Sequence, residues 1–297
     1  MMRTPAVAAI SCLGAAIAGT LLITGCTSSN APAVSGNQTS DPAFAHIHEL
    51  VPDPSDGVLL VATHEGLYRV TPGDGSGPQV SGPIGGLDFD PMGFTIADNI
   101  SYASGHPGPT TPITFGSPNL GLITSTDLGN TWATVSLKGE TDFHALTVST
   151  ETEGAPRVFG YDASTGRVER SSDGGLSWRP GAVIDARDML AVGNLLYATT
   201  ADGLAVSDDD GATFALEPDA PRLYLIASNA DKELAGVDTA GTLWMRGTGR
   251  AWVRGGTVEG IPQALTTDEN RVYVADDRGI AFTDDGGASW TVMLGGL

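Results

Sequence analysis

Positive charge is what this chain has least of. Lys138 and Lys232 are its only lysines, and Lys plus Arg number 15 against 35 Asp plus Glu in 297 residues. A formal charge of −20 excludes the basic patches with which nucleic-acid binders meet phosphates, and it excludes attachment to anionic lipid by charge. Cysteine is nearly absent as well: Cys12 and Cys26 are the whole supply, so no disulfide framework underlies the fold. Helical patterning is missing. Gly, Thr, Ser, Asp and Pro crowd the chain, with 40 Gly and 18 Pro, and no heptads run through it. Charged residues make up only 17% and apolar residues 41%, too apolar a balance for a disordered chain. These absences leave an all-β fold with enough residues to bury one large core.

The first residues read as an address. Arg3 follows Met1 and Met2, and Ala6 to Ile23 is an uncharged run of apolar and small residues. Its length alone would suit a membrane helix. The sequence Ile23-Thr24-Gly25-Cys26 has the form of a lipobox and resembles the cleavage site of a bacterial lipoprotein signal peptide. The resemblance implies a signal peptide over residues 1–25, removal of Cys12 with it, and a diacylglycerol on Cys26. Two acyl chains suffice for stable anchoring. The expected location is the outer face of the bacterial cell membrane. Thr27 to Asp41 is small, polar and aperiodic, so residues 26–43 form a lipidated tether. The folded domain is expected over 44–297.

Four segments repeat one pattern, S/T-x-D-x-G-x-S/T-aromatic: Ser125–Trp132, Ser171–Trp178, Ser207–Phe214 and Thr283–Trp290. The pattern resembles the Asp box, or BNR repeat, of sialidases, sortilin-like receptors and many bacterial propellers. A degraded copy at Met245–Trp252 has Gly247 in place of Asp but keeps the Gly and Trp, and Gly66–Val70 aligns with Gly121–Ser125. Together these make six units with a period of roughly 40 residues. Each unit reads as four short strands. In the fourth, Met189–Val192, Leu195–Thr199, Leu204–Ser207 and Thr213–Leu216 alternate or run apolar between turn residues. The expectation is a six-bladed β-propeller, with seven blades as the rival if the long second unit hides another. The resemblance implies that Asp127, Asp173, Asp209 and Asp285 are structural turn residues on the rim opposite the ligand face. Their carboxylates can cap turn N–H groups, which accounts for them without catalysis.

With the four strands of each unit lettered A to D in chain order, the connections B–C and D–A share one face of such a ring around the channel. All five histidines fall there and in the first three units: His46 and His48 at the first A strand, His64 in its B–C turn, His106 in the second B–C loop, and His144 at the third A strand. Imidazole is a transition-metal ligand and a proton shuttle, so these five are candidate ligands for Zn or Cu or for an organic ligand. The plain alternative is a set of channel-lining residues hydrogen-bonded to backbone and water. Asp90 and Asp142 precede strand A in histidine-bearing units, and Glu65 follows His64. These three are the candidate catalytic carboxylates. Arg187 and Arg222 lie on the same face and could meet an anion. The loop Gly105–Asn119, with four prolines, is expected to lie over that face and to take part in binding.

Sialidase activity is not expected. No Arg-Ile-Pro motif occurs, and in the domain only Arg69 precedes the first repeat, so the arginine triad of that family cannot be assembled. A nearer resemblance is to largely actinobacterial lipoproteins described as glycosylhydrolase-like. It rests on His46-Ile-His48-Glu-Leu50, Val61-Ala-Thr-His64-Glu-Gly-Leu67, Asp90-Pro-Met-Gly-Phe94, Ser104-Gly-His106-Pro-Gly108 and Asp142-Phe-His144-Ala-Leu146, with Glu49 departing from the usual small residue. The resemblance covers nearly the whole domain and implies the propeller and the place of the site, not an activity. The first expectation is a monomeric surface module that binds a small molecule, glycan or metal ion over blades 1 to 3. The second is a glycoside hydrolase using Asp90, Asp142 or Glu65 with a histidine. The third is a scaffold for protein assembly.

Overall fold

Runs such as Leu59-Leu-Val-Ala-Thr63, buried at every position, can only be inner strands covered on both faces. Flanking strands alternate, and their ends are marked by Gly and Asp turns. In the computed structural model, which describes residues 44–53, 58–72, 77–150 and 154–296, these runs build six four-stranded antiparallel sheets. Blade 1 is β1 (Ile47–Pro52), β2 (Leu59–Thr63), β3 (Gly66–Thr71) and β4 (Gln79–Ser81); blade 2 is β5 (Asp90–Ala97), β6 (Ile100–His106), β7 (Leu122–Ser125) and β8 (Ala133–Ser136). Blade 3 is β9 (Phe143–Ser149), β10 (Arg157–Asp162), β11 (Arg167–Ser171) and β12 (Arg179–Val183); blade 4 is β13 (Ala186–Val192), β14 (Leu195–Thr200), β15 (Gly203–Ser207) and β16 (Ala215–Leu216). Blade 5 is β17 (Leu223–Ser228), β18 (Leu234–Asp238), β19 (Thr242–Arg246) and β20 (Val253–Thr257); blade 6 is β21 (Ala264–Thr267), β22 (Val272–Asp276), β23 (Gly279–Thr283) and β24 (Thr291–Gly295). The protein is a six-bladed β-propeller, so the seven-blade alternative falls. The long second unit spends its extra residues on the loop after β6. The expected signal peptide, Cys26 and tether lie outside the described residues.

The core is six clusters, one between each pair of neighbouring blades. Leu60, Ala62 and Leu67 meet Phe89, Phe94 and Ile123 between blades 1 and 2. Tyr102 and Leu122 meet Phe143 and Val158 between blades 2 and 3. Ring closure uses the same device: Ile47 and Leu50 pack on Ala264, Tyr273 and Ile280. The Ile47 N–H also donates to the Gln263 side-chain oxygen at 2.8 Å. Each blade consists of four consecutive strands, so the ring closes by packing and not by a shared strand.

The four repeated turns share one hydrogen-bond set. In the first, Ser125 Oγ donates to Asp127 Oδ1 at 2.8 Å and accepts from the Gly129 N–H at 2.8 Å. Asp127 accepts from the Thr131 N–H at 2.8 Å and from Thr131 Oγ1 at 2.7 Å. Asp173, Asp209 and Asp285 are held in the same way. Each carboxylate closes the hairpin between the third and fourth strand of its blade, at the end opposite the histidines. In the turn after β19, where Gly247 replaces Asp, Trp252 still packs between blades 4 and 5, under the Arg246 guanidinium at 4.7 Å.

Candidate functional site

The first strands of the blades line a central channel of about 1400 Å³. In five blades that strand carries a bulge near its start. The pairing skips His48 between Ile47 and Glu49, Met92 between Pro91 and Gly93, and His144 between Phe143 and Ala145. It skips Arg187 between Ala186 and Asp188, and Tyr224 between Leu223 and Leu225. In blade 6, Gln263 holds the same place, donating its N–H to the Ala275 carbonyl beside the Ala264–Ala275 pair. A bulge adds one residue to one strand and re-aims its side chain. In blades 1 to 4 the extra residue, His48, Met92, His144 or Arg187, lines the channel. His46 and His48 thus do not share a face by simple strand alternation. The bulge brings them together, with rings 4.9 Å apart and edge to face.

Three positions per blade supply the chemistry of this mouth: the residue two before the bulge, the bulged residue, and the end of the second strand or the residue just after it. Asp90 and Asp142 hold the first position in blades 2 and 3. His48 and His144 hold the second in blades 1 and 3. His64 and His106 hold the third in blades 1 and 2. Neighbouring blades then combine them into two triads. Around Asp90, His48 Nε2 lies 3.0 Å from Oδ1 and His64 Nδ1 lies 3.0 Å from Oδ2. The two ring nitrogens are 3.2 Å from each other. Around Asp142, His106 Nε2 and His144 Nε2 approach Oδ2 at 3.0 and 2.8 Å. Within each triad one donor atom from each residue lies within 4.8 Å of the others.

The electrostatics follow from this clasp. Burial works to raise the Asp90 carboxyl, but hydrogen bonds and charge from His48 and His64 outweigh it and hold the group below its ordinary range. His144 is shifted up, first by its hydrogen bond to Asp142. His46 is shifted down, first by burial and then by His48, His64 and Arg187. Its ring lies 5.5 Å from that of His64, outside the Asp90 clasp but against it. A carboxyl held ionised suits a ligand or a base and not the general acid of a glycosidase. Glu65 is exposed; its N–H donates to Thr63 Oγ1 at 3.1 Å, and it belongs to neither triad.

Arg187 stacks its guanidinium over Tyr224 at 4.8 Å, joining the bulged residues of blades 4 and 5. Arg222, two residues before the blade 5 bulge, is exposed. Neither arginine enters a triad. The loop after β6 does not lie over the channel as expected. Asp88 pins it from below by accepting the Thr110 N–H at 3.0 Å, and Phe115 packs outward with the cluster between blades 1 and 2. Its carbonyl at Pro118 comes to 3.5 Å from His106 Nδ1, so the loop borders the second triad from the side.

Composition did not single out Glu49, Met92 or Tyr224. Glu49 and Asp188 follow the bulge in blades 1 and 4, which stand opposite each other in a ring of six. Burial, then the Asp188 charge, raises the Glu49 carboxyl well above its usual value, against the pull of Arg187. Asp188 is pushed up to about 6 by burial, against N–H donors at Ile226 (2.9 Å) and Met189 (2.7 Å) and the Arg187 charge. Aligning the six A strands on their bulges would have found all three residues.

No protein-family model matches this chain, and no curated protein sequence does. Solved structures do. The chain is similar to a chain in the crystal structure of a nidogen/laminin complex, with a TM-score of 0.58, 15% identity and coverage of 79% of this chain and 92% of that one. It is similar to PorZ, a bacterial surface component of the type-IX secretion system of Porphyromonas gingivalis (TM-score 0.55, 14% identity, 85% of this chain and 38% of that one). It is also similar to an ancestral GH74 enzyme (TM-score 0.50, 16% identity, 85% and 39%). The chain thus spans less than two-fifths of the last two. Identities this low speak for the propeller alone, since one propeller hosts enzymes and scaffolds alike.

Proposed function

We propose that this chain is an exported, lipid-anchored propeller that captures transition-metal ions on the face formed by blades 1 to 3. The observation that carries the reading is the pair of His–Asp–His triads at one channel mouth. Two histidines and a carboxylate are a donor set suited to divalent transition metals, leaving open positions for water or a further ligand. The histidine nitrogens stand 2.8 to 3.0 Å from the carboxylate oxygens, and those of His48 and His64 3.2 Å from each other. A tetrahedral ion with bonds near 2.1 Å needs about 3.4 Å between donors, a few tenths of an ångström more. In the first triad His48 Nε2 faces Asp90 Oδ1, His64 Nδ1 faces Oδ2, and the two ring nitrogens stand 3.2 Å apart, so three potential ligand atoms converge. A cation between them serves all three groups at once. The buried Asp142 Oδ1 has no hydrogen-bond partner, which is costly unless something else meets it.

The lipobox supports the anchored location, and the acidic surface suits a cation-collecting protein. The glycosidase reading is weaker because Asp90 is held ionised. The test is metal analysis and isothermal titration of the detergent-solubilised full chain with Zn(II) and Cu(II). Two equivalents bound, with both lost in a His48→Ala/His144→Ala variant that keeps its β-sheet circular dichroism, is the expected result. A parent chain that binds neither ion at micromolar concentration would sink the reading and leave the histidine face to a small organic ligand or glycan.

A further inference from the structure

Going along the ring, the bulged residues of blades 1, 2 and 3 are His48, Met92 and His144. Met92 therefore sits on the blade that contributes a residue to each triad, Asp90 to one and His106 to the other. It lines the same channel as His46, His48, His64 and His144. The backbone around it is drawn tight against blade 3. A Cβ on Gly93 would lie 2.7 Å from the carbonyl of Phe143, the residue before His144. Gly93 thus lets the Met92 strand approach the strand of His144 at backbone distance.

Met92 is also out of place as a packing residue. Met189 and Met293 are buried members of interblade clusters, and Met245 packs against one. Met92 belongs to none of the six clusters and is half-buried in the lining of the channel that the histidines share. A thioether is a soft, polarisable donor on a flexible stem. Imidazole accepts several first-row metals, whereas thioether selects for copper and above all for Cu(I).

We propose that Met92 is a shared soft ligand of this face and makes the site selective for copper, Cu(I) in particular, over zinc. The inference rests on the metal-binding reading above and adds the class of ion. A channel built only of His–Asp–His sets would have no reason to prefer copper in its reduced state.

The test uses the detergent-solubilised full chain and its Met92→Leu variant, a volume-conserving change that keeps the backbone and removes only the donor. Cu(I) affinity is read by competition with a chromogenic Cu(I) chelator under anaerobic ascorbate, and Zn(II) affinity by titration. The expected result is a loss of about tenfold or more in Cu(I) affinity in the variant, with Zn(II) affinity within about twofold of the parent. A sulfur scatterer in the copper-edge absorption spectrum of the parent should vanish in the variant. Equal Cu(I) affinity in parent and variant, or a parent spectrum without sulfur, overturns the role of Met92 and leaves the triads standing as metal sites. A parent that binds no metal at all overturns both.

Discussion

Asp90 and His106 are cross-strand partners at the mouth of the β5–β6 hairpin, yet they serve different triads. Asp90 is clasped by His48 and His64 from blade 1, whereas His106 reaches Asp142 in blade 3. One hairpin therefore ties the two sites together. Directly opposed residues in an antiparallel pair have Cα atoms about 5 Å apart, so the triads are neighbours by construction.

Each triad has its own carboxylate, which predicts separable losses. Asp90→Ala should remove one of two bound equivalents and leave the second, and Asp142→Ala the reverse, by titration calorimetry. Loss of both equivalents in either single variant would mean one shared site in place of two.

Gly105 holds the hairpin mouth. It adopts φ +149, and a Cβ there would lie 1.9 Å from the Asp90 carbonyl oxygen and 2.8 Å from the Met92 nitrogen. Gly105→Ala is expected to cost about 1–3 kcal/mol through backbone strain. It should weaken both metal equivalents together, because it displaces Asp90 and His106 at once. Denaturant unfolding beside the same titration checks it.

Phe143 supports His144 from below. It is fully buried, and its ring packs 4.9 Å from Trp178. A Cβ on Gly160 would lie 2.4 Å from that ring, so the pocket is already full. Phe143→Ala should cost about 3–5 kcal/mol and loosen the second triad more than the first. Unfolding curves and stepwise titration distinguish this from a uniform loss.

The repeated turns predict acid sensitivity. Hydrogen bonds from Ser177, Thr213 and Ser289 lower Asp173, Asp209 and Asp285 to about 2. An unfolded Asp titrates near 3.9. The folded groups are depressed, so their contribution is present above pH about 4 and is lost as pH falls toward about 2. These carboxylates are open to solvent, so each effect is small and the three act in concert. The melting temperature should fall across that window. A variant with all three changed to Asn should start lower and show a flatter acid limb.

The lipobox predicts covalent modification. In a bacterial host fed a labelled fatty acid, the full chain should take up label and sediment with membranes. Cys26→Ser should do neither. A labelled Cys26→Ser chain would defeat the assignment of that residue.

The repeat told most of the fold in advance. Asp127, Asp173, Asp209 and Asp285 recur with the same Gly and Ser/Thr partners because each hairpin solves the same local problem, a tight turn whose N–H groups need an acceptor. Local chemistry of this kind is legible in one dimension. The gathering of five histidines on one face was legible too, because strand direction alternates and the end of the blade can be counted. What alternation could not say is which histidine meets which aspartate. The loop after β6 misled for a similar reason: its prolines marked it as a loop, but only Phe115 finding an apolar cleft between blades 1 and 2 decided that it runs outward.

Composition, the repeat and the order of strands, all local properties, were therefore determined by the sequence itself. The two triads, and Met92 between them, were decided by tertiary structure. They depend on a bulge that shifts each inner strand by one residue, and on packing that sets blades 1, 2 and 3 side by side. Both arise from contacts between residues far apart in the chain, and no periodicity within a single strand encodes them.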